Sequence, residues 1–196
     1  MPAPDDRSPS ALRGRAIGVL VISIFGALWL LLGLAAREWL SLPTVLALAA
    51  GLGALVVAAL VLQRRATAAL PGEAVDPEEQ RRIGRTFGRV NAIQWAAIIF
   101  IAVALGRFHL DAYTPAAVTV VVGLHFFPLA RLFRHPQHHL TGALLVAWGA
   151  ICPLLLPRET LQSTTAFGTG ALLWVSAAIT LGRAFRQLSP APPAAA

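Results

Sequence analysis

His125 is the residue whose type and position most suggest chemistry. It stands in Val122-Gly123-Leu124-His125-Phe126-Phe127-Pro128-Leu129-Ala130, near the middle of an apolar stretch. An ionisable side chain placed there is costly to keep and usually faces a bundle interior or a water-filled cavity. A second apolar stretch carries Asn91, Gln94 and Trp95 at i, i+3 and i+4, which puts them on one face of a helix. Counting the rise along two antiparallel helices places Gln94 at about the depth of His125, and Asn91 near Arg131. Pro128 has no N–H, so the Leu124 carbonyl four residues earlier loses its helical donor and adds an acceptor to the region. His125, Gln94, Asn91, Arg131 and Trp95 form the leading candidate ligand site. The same grouping also admits a register-fixing hydrogen-bonded cluster, an ion or proton site, and a catalytic centre.

A second group is His135, His138 and His139, in Arg-His-Pro-Gln-His-His. If Pro136 opens a helix with His135 as its cap, the three imidazoles could converge at its start. Imidazole is a common ligand for zinc, copper or nickel, so this trio is where a metal would be expected, if any is held. Against it, no carboxylate lies nearby in sequence, and histidines in a loop are often merely solvated. His109 with Asp111 is a weaker pair of the same kind. No other cofactor is expected.

Several chemistries are excluded outright. All sixteen basic residues are arginine, so neither a P-loop lysine nor a Schiff-base lysine exists. A single cysteine, Cys152, rules out intramolecular disulfides, C-x-x-C redox pairs and an iron–sulfur cluster. No carboxylate falls inside an apolar stretch: Glu38, Asp111 and Glu159 lie in gaps, and the other acids lie in the longer polar segments. That weakens cation-coupled transport and aspartyl protease chemistry, which usually need a buried acid. Ser23 and Ser176 have no His at a readable spacing, which leaves a serine hydrolase without support.

The elements that must position these residues are membrane helices. Hydrophobic residues make up 57% of the chain and charged residues 13%, with a mean hydropathy of +0.68. A soluble domain would carry roughly 25% charged residues. Six apolar stretches follow, at 16–36, 42–62, 90–105, 115–133, 140–156 and 166–181. Most approach the ~20 residues a helix needs to cross a bilayer, and backbone groups in lipid must be paired internally. The first stretch is too long for a signal-peptide core and is read as a retained anchor.

Arginines alternate by gap. Arg7, Arg13, Arg15, Arg64, Arg65, Arg81, Arg82, Arg85, Arg89, Arg131, Arg134, Arg183 and Arg186 fall on one side, thirteen against three (Arg37, Arg107, Arg158) on the other. The positive-inside rule then places both termini in the cytoplasm, with Trp39 and Tyr113 at the outer interface. The positive charge thus follows topology and does not call for nucleic acid. Segments 1–15 and 187–196 read as disordered tails around a six-helix membrane domain, 16–186, with a cytoplasmic loop at 63–89.

Within that loop, Asp76 as N-cap, Pro77, Glu78 and Glu79 predict a helix start that runs on into the third stretch. Arg81, Arg85 and Arg89 then share a face, and with Arg82 they are expected to meet anionic lipid headgroups. Ala49, Gly51 and Gly53, Ala143 and Ala147, and Gly168 and Gly170 are expected to allow close helix packing.

Phe87-x-x-Val90-Asn91-x-x-Gln94-Trp95, then Val122-Gly123-Leu124-His125-Phe126-x-Pro128-Leu129-Ala130 and Thr141-Gly142, resembles a family of uncharacterised bacterial six-helix inner-membrane proteins. The resemblance covers about 87–145 and implies architecture and a bacterial cytoplasmic-membrane location, with no activity attached.

The expectation is therefore an all-α, six-helix membrane bundle. Its role is to bind or pass a small ligand at the His125 cluster, without catalysis. The rivals are a membrane-embedded enzyme using His125 or the His135 group, and a structural or accessory subunit.

Overall fold

A computed structural model describes residues 9–69, 77–133 and 135–188 of the chain. Six helices form the fold: α1 Pro9–Ala36, α2 Leu42–Ala69, α3 Pro77–Arg107, α4 Thr114–Leu132, α5 Pro136–Leu155 and α6 Arg158–Leu188, with a 3-10 turn at Asp111–Tyr113. All six are long and apolar enough to cross a membrane. The helices exceed the apolar stretches at several ends. α1 starts at Pro9, within the segment read as a tail, and α6 gains eight residues before Ala166 and seven after Leu181. Asp76, the expected cap of α3, lies outside the described residues, but α3 does run unbroken from Pro77 through the third stretch.

α6 is the axis of the bundle. It packs against α1, α5, α4 and α2, and half of its span is buried. α1 makes its most extensive contact with α6, and α4 with α5. α3 is the outlier: it leans on α4, and none of its span is buried. Val19, Leu62, Leu145 and Leu173 are fully buried in the core.

Close packing falls on only some of the small residues singled out. Gly51 faces the Trp174 ring, Gly168 faces the Trp148 ring, and Gly170 faces Leu30 and the Gly26 carbonyl. Ala49, Gly53, Ala143 and Ala147 instead point outward. On α5 the close approach uses Gly142 and Gly149, seven residues apart, which returns to the same face after two turns.

α1 and α3 end alike. The Trp39 N–H reaches the Leu34 carbonyl at 2.9 Å, and the Leu110 N–H reaches Leu105 at 2.9 Å. Each closure holds a non-glycine residue at positive φ, Glu38 at 56° and His109 at 56°. This is the left-handed turn that commonly stops a helix, and histidine is among the residues that tolerate it. His109 therefore has a backbone role.

Candidate functional site

The α3–α4 seam is set by aromatic packing near its arginine-rich end, where the Phe87 and Phe133 rings lie 6.1 Å apart. Further along the same seam, His125 of α4 meets the backbone of Val90, one residue before Asn91 and four before Gln94 on α3.

The side chains nevertheless do not bond to each other. His125 is half-buried, and its imidazole interacts with the backbone of Val90 on α3. Its buried Nδ1 has no hydrogen-bond partner. Asn91 and Gln94 are half-buried, Arg131 is exposed, and none of the three forms a side-chain hydrogen bond among the described residues. Trp95 is 46% exposed, its ring 6.5 Å from Phe25 of α1. α3 and α4 therefore leave one buried nitrogen of the seam, His125 Nδ1, without a partner in apolar surroundings, where that is expensive.

His135, His138 and His139 behave differently from a metal trio. His135 caps α5 and Pro136 takes the first helical position, as expected. The His135 and His138 rings lie 5.3 Å apart, but His138 also packs on Phe126 at 5.5 Å, and His139 on Phe127 at 5.8 Å. Consecutive helical residues point about 100° apart, so His138 and His139 address different phenylalanines. Among the described residues, no three His, Cys, Asp or Glu side chains are grouped to hold a metal ion.

Sequence reasoning missed the longest polar feature. Thr165, Thr169, Ser176, Thr180, Arg183 and Gln187 fall at intervals of four, seven, four, three and four, one continuous stripe on α6. The Thr169 hydroxyl pairs with Thr119 of α4 at 2.8 Å, and Ser176 with Thr141 of α5 at 2.8 Å. Gln137 of α5 donates to the Ser176 carbonyl and to Thr180 Oγ1, both at 3.0 Å. Arg183 donates back to Gln137 Oε1 at 3.3 Å, and Arg15 of α1 donates to Gln187. At the opposite end, Arg37 Nε donates to Ser163 Oγ at 2.8 Å. The interval pattern was the available signal.

The contrast between the two polar regions is chemical. Along α6 the stripe is broken between Thr169 and Ser176 by Leu173, which is buried with Leu145. Most groups on either side of that dry layer are already bonded to a neighbouring helix, so the stripe has little capacity for a ligand. The seam keeps its capacity. No known protein family, curated protein or solved structure matches this chain.

Proposed function

We propose that this protein binds a small ligand at the α3–α4 seam, with His125 at the centre and Gln94, Asn91, Trp95 and Arg131 around it. The observation that carries the reading is the buried Nδ1 of His125, left without a hydrogen-bond partner beside half-buried amides. Polar groups that serve structure are ordinarily paired, as Thr169, Ser176 and Thr180 of the α6 stripe are; a buried imidazole nitrogen left unpaired in an apolar helix is where an outside partner can act. On this reading the chain belongs to the bacterial cytoplasmic membrane, in line with the family it resembles. The arginine distribution puts both termini in the cytoplasm. Exposed Arg81, Arg82, Arg85 and Arg89 then meet anionic headgroups. The reading is non-catalytic: among the described residues of α3 and α4, His125 is the one imidazole, with no carboxylate in the apolar part of either helix.

The test is the thermal midpoint of wild type beside His125→Leu in one detergent. Cys152 is the single cysteine and is buried, so a thiol-reactive dye reports unfolding. A residue kept for function is commonly kept at a cost in stability. The Leu variant is expected to melt at or above the wild-type midpoint. A drop of several degrees would make His125 a structural residue and sink the reading.

A further inference from the structure

We infer that the ligand of this seam reaches it from within the bilayer and is a lipid-dissolved molecule whose head group carries a hydroxyl. The inference rests on the seam being a ligand site, and goes on to name the ligand's chemical class.

Two features of the seam support it. The first is access. No residue of the α3 span is fully buried, and α3 leans mainly on α4, so the seam opens on the outside of the bundle. Its rim is apolar and outward-facing: Leu124 is 54% exposed, Ile93 70% and Trp95 46%. In a membrane these surfaces meet acyl chains, and a solute crossing them must itself be soluble in hydrocarbon.

The second is the unmet chemistry. Pro128 deprives the Leu124 carbonyl of its i+4 donor, and Leu124, the residue before His125, is exposed. The Leu124 carbonyl and the His125 imidazole belong to consecutive residues of α4, and His125 meets the backbone of Val90, the residue before Asn91 on α3. Hydrocarbon offers none of them a partner. A hydroxyl both donates and accepts, so one head group can serve the carbonyl and the imidazole or an amide together. Its apolar tail would lie along Ile93 and Leu124, in place of an acyl chain.

The test uses the full chain in lipid nanodiscs, with unfolding read from Cys152 labelling. The probes are dodecan-1-ol, its methyl ether, which keeps the tail but has no donor, and water-soluble acetamide. Dodecanol is expected to raise the wild-type midpoint by about 3 °C at saturating membrane concentration. The ether is expected to leave it unchanged, and the dodecanol shift is expected to vanish in His125→Leu. Gln94→Leu, on the other helix, serves as a second variant should the first fail to fold, and is expected to shrink the shift. Equal shifts from alcohol and ether, or a shift that survives both substitutions, would overturn the proposal. A His125-dependent shift from acetamide alone would remove the lipid-borne class and keep the binding site. No His125-dependent shift from any probe would remove both.

Discussion

Gly123 of α4 and Gly142 of α5 face each other with no side chain between them. A Cβ on Gly123 would sit 2.8 Å from the Gly142 carbonyl oxygen, and one on Gly142 would sit 2.7 Å from that of Gly123. Because the obstacle is backbone, it cannot swing aside. Gly123→Ala or Gly142→Ala should cost about 1–3 kcal/mol through forced separation of the two helices. Gly53→Ala is the control: nothing lies within 4 Å of its added methyl. It should be neutral or slightly stabilising in the same melt. Equal losses at all three positions would show that α4 and α5 do not approach this closely.

Gln137 links three groups of α6, donating to the Ser176 carbonyl and Thr180 and accepting from Arg183. Gln137→Leu keeps the volume and removes all three bonds. A buried polar group stripped of its partner costs about 1–3 kcal/mol. Chemical denaturation in mixed micelles would show the loss, and an unchanged midpoint would mean that α5 and α6 are not joined through this amide.

Trp174 is wedged against Gly26 of α1 and Gly51 of α2, and its Nε1 donates to the Ser23 carbonyl at 2.9 Å. Trp174→Phe should cost about 0.5–1.5 kcal/mol, the usual net value of one hydrogen bond. Gly26→Ala should be harmful in wild type and much less so in Trp174→Ala, because the ring it would strike is gone. Additive losses in that double variant would contradict the packing described.

Thr119 and Thr169 share a 2.8 Å hydroxyl contact, and each hydroxyl also lies within hydrogen-bond reach of a carbonyl of its own helix, Pro115 and Thr165, so the two protons can serve only two of the three contacts at once. A double-mutant cycle with valine should therefore return a coupling of only about 0.6 kcal/mol, the typical worth of such bonds between membrane helices. A coupling near 2 kcal/mol would mean that the pair carries more than a register mark.

Local signals were the legible ones. Pro136 after His135 predicted the opening of α5, and the Glu78 and Pro77 pattern predicted an α3 that enters the apolar stretch without a break. The apolar run 166–181 understated α6 because threonine and serine depress hydropathy, although Thr169 and Thr180 bond carbonyls of their own helix and are at home there. The same hydroxyls hid the α6 stripe: no one of them stands out, and only their spacing does. For the seam, the packing of α3 on α4 was legible as the contact of consecutive antiparallel helices. Whether Gln94 would bond His125 depended on rotamers, and the imidazole turns to the Val90 backbone instead. Consecutive His138 and His139 looked convergent in the one-letter string, yet a helix separates neighbours around its axis.

The pairing of α1 with α6 also bears on how the chain is made. Helices enter the bilayer in the order of synthesis, so α1 must wait, while four others are inserted, for the neighbour it contacts most. Until α6 arrives, Arg15 has no Gln187 and Ser163 is not there for Arg37. A ribosome stalled before residue 158 would leave inserted helices without their shared axis, and quality-control proteases would meet a loose set of hairpins. Contacts between distant parts of a chain are slow to form. The most extensive contact of the fold is thus also the last that can form, so a nonsense mutation late in the reading frame should be nearly as damaging as an early one.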